Sequence, residues 1–244
     1  MYAYRSTHGP VDRPVHLAFT DRLGGVSGAP FDSLDLAIEG DAAAHRAENL
    51  RRLLDDFAPG AALRDLHQVH GADVVEAAAD PPRERPRADA IVTDRAGVVL
   101  MVRAADCVPV LLADDDGRAV GAVHCGRPGL AAGVVPAAVA RLRELGAEHL
   151  TAWIGPHVCG ACYEVPADLQ GEVASVVPES RATTSWGTPS LDLGAGVRAQ
   201  LADRGVRVVD ASRCTRESSD LFSYRRDGAS AGRLAGLVRI GVAA

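Results

Sequence analysis

The stretch VPVLLADDDGRAVGAVHCGRPGL, residues 108–130, decides the fold. Two apolar β-type runs, 108–114 and 119–124, are linked by little more than a short acidic turn, so they are expected to lie side by side in one sheet. The second run ends on His124 and Cys125 and passes into a glycine-bracketed turn. A polar pair thus stands where an apolar strand stops, and another thiol, Cys107, directly precedes the first run.

Outward from this pair the chain alternates β-type runs with helical patterns. The runs at 16–20, 69–77, 90–94, 98–102 and 150–155 read mostly as strands, and ENLRRLLDDF (48–57) carries a helical pattern. Between 124 and 150, Val135, Val139 and Leu142 recur at helical spacing opposite Arg141, Arg143 and Glu144. Pro136 is tolerated only in a first turn, which starts this helix near residues 133–135, and Gly146 suits its C-terminal cap. Residues 166–177 and 192–204 give two further amphipathic helices, the second followed by the strand-like VRVVD (206–210). The proline- and arginine-rich AAADPPRERPRAD (77–89) reads as a surface loop. These patterns predict a mixed α/β (α+β) fold: one domain over residues 1–244, with a strand-rich central mixed sheet or sandwich flanked by helices.

A chain of 244 residues that is 47% hydrophobic can bury a substantial core. Its net charge of -6 and pI near 5.7 argue against nucleic-acid binding, which needs a surplus of Lys and Arg. The longest apolar runs are far too short to span a bilayer, and MYAYRSTHGPVDRP at the N-terminus lacks the apolar core of a secretion signal. A cytoplasmic protein without membrane association is expected. The five cysteines, Cys107, Cys125, Cys159, Cys162 and Cys214, form an odd set without framework spacing, which in a reducing compartment favours free thiols or metal ligands.

His70, Cys107 and His124 stand at or beside apolar strands. One thiolate with two imidazoles is a common zinc shell, and three protein ligands leave a fourth position open. The same residues also suit an ordinary core, where free cysteines are buried and a single histidine is hydrogen-bonded. CGAC (159–162) has redox-type spacing, but a zinc ribbon needs a second pair, and structural thiols fit better.

Taken in order, FTDRLGGVS (19–27), HQVHGADV (67–74), DAIVTD (89–94), AADCVPVLLAD (104–114), GAVHCGRPGLAAGVV (121–135), IGPHVCGACYEV (154–165), CT (214–215) and FSYRRDGASAGRLAGLV (222–238) resemble the multicopper polyphenol oxidase or laccase-like domain family. Members of that family are also described as peptidoglycan editing factors and as purine nucleoside phosphorylases with adenosine deaminase activity. The resemblance spans nearly the whole chain, and the family's metal motifs fall on His70, Cys107 and His124. Asp106, beside Cys107, suits a catalytic-group residue that orients a ligand or water, and equally suits a buried, hydrogen-bonded aspartate with no catalytic duty. The resemblance also implies that Arg22, Gly24, Gly25 and Ser27, matching an Arg-x-Gly-Gly-Val-Ser element, contact phosphate, as a guanidinium beside exposed glycine-turn amides can. Gln68, Arg127 and Arg226 complete the expected substrate contacts; of the adjacent Arg225 and Arg226, one is expected to face the pocket and the other to be solvated or paired with an acid. The chain departs from the family where His-Ala-Gly-Trp-Arg-Gly is usual and HCGRPG stands here. Cys125 then fills an alanine-sized space, and the roles of the family's tryptophan and arginine do not transfer. SLDLAIEGD likewise puts Asp35 where an amide is usual.

The resemblance implies a zinc-dependent purine nucleoside enzyme, acting by phosphorolysis of adenosine- or inosine-type nucleosides and by adenosine deamination, with nucleoside and phosphate as its small-molecule partners. Copper is less favoured, because a multicopper site needs many more histidines than the 8 present, several of them in polar or terminal contexts. A metal-independent Cys107/His124 hydrolase or a peptidoglycan-precursor editing enzyme is the alternative. The glycines after His124 are expected to let substrate approach the backbone closely. The native substrate, metal and oligomeric state are left open.

Overall fold

A computed structural model describes residues 1–78, 80 and 82–241. The first elements are β1 (Tyr2–His8), β2 (Val15–Thr20), α1 (Ala43–Phe57), β3 (Ala62–Asp65), β4 (Val74–Glu76), β5 (Ala90–Thr93) and β6 (Val98–Ala104). The central group is β7 (Val108–Asp114), β8 (Val120–Cys125), α2 (Arg127–Ala132), α3 (Val134–Glu144) and β9 (Leu150–Ile154). After these come α4 (Ala167–Val176), β10 (Arg181–Thr183), β11 (Pro189–Leu191), α5 (Leu193–Ala202), β12 (Arg207–Asp210), α6 (Tyr224–Asp227) and β13 (Leu234–Ile240).

The apolar runs 108–114 and 119–124 form the antiparallel pair β7 and β8, with Pro109 opposite His124 and Val108 opposite Cys125. They lie inside a six-stranded mixed sheet ordered β12, β9, β7, β8, β5, β4. A five-stranded mixed sheet, ordered β1, β2, β13, β6, β3, packs against it. Leu111, Ala113 and Ala122 of the first sheet meet Leu17, Phe19, Leu100 and Val238 of the second. On the opposite face Val108, Val110 and Leu112 pack under Val135, Val139 and Leu142 of α3 and Val197 of α5. On the far side of the five-stranded sheet, Leu53 and Phe57 of α1 cover Ala18, Met101 and Leu237. The result is a sandwich flanked by helices on both sides. Because β7 is covered on both faces, its sequence reads as an unbroken apolar run instead of alternating.

Local signals place the helix boundaries. Gly133 adopts φ 82 between α2 and α3, a left-handed conformation that lets two helices meet at an angle, and Pro136 sits in the first turn of α3 as expected. The turn read at GRPGL is instead the short helix α2, with Pro128 near its start, where the missing N–H would have no intrahelical partner. Five strands were not anticipated: β1, β13 and the short β3, β10 and β11. β1 lies at an edge and is largely half-buried or exposed, so it carries little apolar signal, whereas β13 inserts between β2 and β6 from the far end of the chain. Of the expected loop at 77–89, positions 79 and 81 lie outside the described residues, as do 242–244 of the expected domain. No helix among the described residues is long and apolar enough to cross a membrane.

Candidate metal centre and active-site cleft

The β7–β8 hairpin carries two of the three predicted ligands to one end of the six-stranded sheet. Cys107 directly precedes β7, and His124 is the penultimate residue of β8. His70 arrives from the loop between β3 and β4. The Cys107 Sγ lies 3.8 Å from His70 Nε2, and the two imidazole rings meet edge to face with centroids 4.9 Å apart. One donor atom from each of the three lies within 4.8 Å of the others. His124 is buried, Cys107 half-buried and His70 exposed, so the group opens to solvent on the His70 side.

Asp89, which the sequence reading did not single out, ties the two histidines together. Its carboxylate is fully buried. Oδ1 accepts from His124 Nδ1 at 2.8 Å and from the His70 backbone N–H at 3.0 Å. Oδ2 accepts from the N–H groups of Val69 and Gly71 at 3.1 and 2.7 Å. This grip accommodates His70 at φ 60, a left-handed conformation unusual for a residue other than glycine. A carboxylate that accepts the Nδ1–H of a histidine leaves Nε2 with its lone pair free for a cation, which is how metal-binding imidazoles are commonly held. The only signal for Asp89 in the sequence was its place at the head of DAIVTD, directly before an apolar strand.

The electrostatics are those of a coupled pair. Burial opposes charge on His124, but the Cys107 thiolate and the Asp89 carboxylate outweigh it and raise the imidazole's pKa. Burial also opposes the Cys107 thiolate, yet His124 and His70 prevail and pull the thiol below its ordinary value. The residue after the hairpin is shaped by the same group. A Cβ on Gly126 would lie 2.7 Å from the His70 ring and 3.2 Å from Cys107 Sγ. That glycine therefore makes room for the ligands themselves.

The group lines a cleft of about 1780 Å³, ample for a nucleoside with phosphate. Tyr163, Tyr224, Arg225, Arg233 and Asp106 also line it. Asp106 adopts φ 89 beside Cys107, and both its carboxylate oxygens are engaged. Oδ1 accepts from the Thr215 hydroxyl at 2.6 Å, and Oδ2 from the Arg225 backbone N–H at 2.5 Å. Gln68 lines the cleft, but its amide clamps the Arg103 backbone, donating to the carbonyl at 2.7 Å and accepting from the N–H at 2.8 Å.

The remaining predicted contacts lie outside the described cleft lining. Arg22 stacks on the Phe222 ring at 4.5 Å and donates to the Asp32 carbonyl at 2.6 Å. Gly25 N–H donates to Ser33 Oγ, and Ser27 donates its hydroxyl to Asp41 at 2.5 Å. A Cβ on Gly25 would strike the Ser33 carbonyl at 2.1 Å, and Gly24 takes φ 91 in the same turn. The donors expected to meet phosphate thus fold their own loop. Arg226 points away as well, donating to the carbonyls of Thr215, Ser218 and Leu221 and pairing with Asp227. Its neighbour Arg225 faces the cleft instead, stacked 4.4 Å from the Tyr163 ring centroid with Nη1 on the Glu164 carbonyl at 2.8 Å. Arg127 is half-buried at the start of α2 and has no hydrogen bond or ion pair among the described residues. Cys125 points into the helix-side core and is fully buried there.

Residues 16–241 match the family model described as multi-copper polyphenol oxidoreductase laccase. The chain belongs to that family. Among its relatives, a Streptomyces coelicolor protein named purine nucleoside phosphorylase is 50% identical over 232 residues, spanning 92% of this chain and 95% of the relative. A Streptomyces griseus protein of the same name is 51% identical over 94% of this chain and 96% of its own length. Among solved structures, a Neisseria meningitidis protein is 32% identical with a TM-score of 0.84, covering 97% of this chain and 99% of that one. YlmD from Geobacillus stearothermophilus is 29% identical at the same TM-score of 0.84, over 93% and 92% of the two chains. The family's name points to copper, yet among the described residues metal-type ligands gather in threes or more at two places only, and just one of them contains histidine. His8 and His45 pair with Asp115 and Asp41, and His16 contacts Thr7.

Proposed function

We propose that this chain is a purine nucleoside phosphorylase that also deaminates adenosine, with zinc held by His70, Cys107 and His124. The observation that carries the reading is the convergence of these side chains at the floor of an open cleft. The relatives named purine nucleoside phosphorylase support it. The donor set fits zinc: one soft thiolate, two imidazoles of which His124 is oriented by a buried carboxylate, and an exposed side left for substrate. When bound there, the cation supplies Lewis acidity.

The chain's own side chains do the rest. Asp89 fixes the ring of His124 and the backbone of His70, so the donors need little reorganisation when substrate binds. Among the arginines lining the cleft, Arg225, with guanidinium N–H groups beyond the one on Glu164, and Arg233 stand on the same wall as Asp106 and are the cations assigned to phosphate, in preference to Arg22 and Arg226. Tyr224, exposed at the cleft, offers an aromatic face to a purine, while Tyr163 supports the Arg225 guanidinium. Asp106 acts as a positioning residue, because its two oxygens hold Thr215 and the Arg225 backbone. The reading takes residues 1–244 as one catalytic domain, and the five free thiols suit a cytoplasmic setting.

A specific observation favours a second reading. Without a cation, the lowered Cys107 thiol and the raised His124 imidazole form a thiolate–imidazolium pair, the arrangement of a cysteine hydrolase. One experiment separates the two. Protein of measured zinc content is incubated with inosine and with adenosine, with and without phosphate, while free base, sugar phosphate and ammonia are followed. The leading reading expects phosphate-dependent base release that falls by about 100-fold or more in His124→Ala. Undiminished turnover in that variant, or full activity of zinc-free protein, rejects it.

A further inference from the structure

Two tight turns away from the His70 centre gather a second set of soft donors. Cys159 and Cys162 stand on the turn after β9, where the N–H groups of Cys162 and Tyr163 both donate to the Cys159 carbonyl at 3.0 Å. Cys214 and Glu217 stand on the turn after β12, which closes with Ser218 N–H on the Cys214 carbonyl at 3.1 Å. Backbone bonds hold the turns side by side: His157 N–H donates to the Arg213 carbonyl at 3.1 Å, and Thr215 N–H to the His157 carbonyl at 3.0 Å. Across the seam Cys159 N–H points at Cys214 Sγ at 3.5 Å, and Cys162 Sγ lies 3.4 Å from Glu217 Oε1.

One donor atom from each of Cys159, Cys162, Cys214 and Glu217 lies within 4.8 Å of all the others. Bonds of about 2.3 Å to sulfur in a tetrahedron set the sulfur-to-sulfur edge near 3.8 Å, so small side-chain rotations close the set around one ion. Each turn contributes two donors at the spacing usual for metal-binding turns, Cys-x-x-Cys and Cys-x-x-Glu. The partner that CGAC lacks in the sequence is thus a mixed pair supplied by the fold. We propose that Cys159, Cys162, Cys214 and Glu217 form a structural zinc site, separate from the His70, Cys107 and His124 centre.

Three thiolates select a borderline-soft cation over calcium or magnesium, and four protein donors close its coordination. On binding, the thiol protons pass to solvent as the sulfur–metal bonds form. The backs of the same turns hold the catalytic wall. Thr215, next to Cys214, donates to Asp106, and Val158 N–H donates to the Asp106 carbonyl at 3.1 Å. Glu164, two residues past Cys162, accepts from Arg225. The ion therefore clamps the two turns that position Asp106 and Arg225 in the cleft.

Zinc content per chain tests this directly. The variant His70→Ala/Cys107→Ala, which removes the first centre, is expected to keep one zinc, and adding Cys159→Ser/Cys162→Ser is expected to remove it. Glu217→Gln is expected to weaken that zinc by about tenfold or more. Should a variant fail to fold, wild-type protein decides: iodoacetamide labelling read residue by residue is expected to slow by about tenfold or more at Cys159, Cys162 and Cys214 when zinc is restored to chelated protein. A folded His70→Ala/Cys107→Ala variant without zinc, equal labelling with and without zinc, or a disulfide among the three cysteines overturns the proposal.

Discussion

At the scale of single residues, Asp89 and Asp35 show opposite uses of a buried carboxylate. Asp89 receives four hydrogen bonds, from His124 and from three successive backbone N–H groups, and these outweigh burial and hold it ionised below its ordinary range. Asp89→Asn is expected to leave His124 misoriented and to weaken zinc binding at the centre by about 10- to 100-fold, measured by competition with a chromophoric chelator. Unchanged affinity contradicts the holding role. Asp35 is also fully buried, but its Oδ2 has no partner, while Oδ1 accepts from Ala37 and Arg233 N–H at 2.9 and 2.8 Å. Burial raises its pKa above the usual carboxylate value. A raised folded pKa means that the protonated form's stability is fully present below the unfolded pKa and is lost as pH climbs through the folded one. Asp35→Asn is therefore expected to match wild type near pH 4 and to exceed it by about 1–3 kcal/mol at pH 7 in urea unfolding. A gap that shrinks with rising pH refutes the assignment.

At the scale of elements, the β7–β8 hairpin and α3 were legible because short-range patterns determine them: two runs with one short link, and a 3.6-residue period with proline at one end and glycine at the other. β13 was not legible as a central strand, because its neighbours β2 and β6 come from distant parts of the chain. In the site, the ligand types of His70, Cys107 and His124 could be read, since metal chemistry restricts them to few residues. Which of Arg225 and Arg226 faces the cleft was not legible, because adjacent arginines are equivalent until backbone geometry sends one to the cleft and the other to the carbonyls of residues 215–221. Two glycines test how tightly these elements meet. Gly126→Ala is expected to push the His70 ring aside and lower zinc affinity by about tenfold, with little change in unfolding midpoint. Gly155 faces Phe19 across the two sheets, and a Cβ there would lie 2.4 Å from the ring. Gly155→Ala is expected to cost about 1–3 kcal/mol by denaturant unfolding, and a neutral result contradicts that close approach.

At the scale of the whole molecule, two packed sheets form a rigid frame, and the chemistry collects where strand ends and turns from distant segments meet. His70, Cys107 and His124 reach one point from the β3–β4 loop, the start of β7 and the end of β8. Asp89, at the head of β5, joins the loop to the hairpin. The cleft above them draws arginines from both halves of the chain, Arg64, Arg83, Arg85, Arg87 and Arg103 from one and Arg225 and Arg233 from the other, so its lining is complete only when both have folded around the sandwich. The most direct test of this account is an anomalous difference map from crystals of zinc-soaked protein, collected at the zinc absorption edge. The account predicts a peak bonded to His70 Nε2, Cys107 Sγ and His124 Nε2 at about 2.0–2.3 Å, with its open side toward the cleft. Full zinc loading with no peak between those three atoms contradicts it.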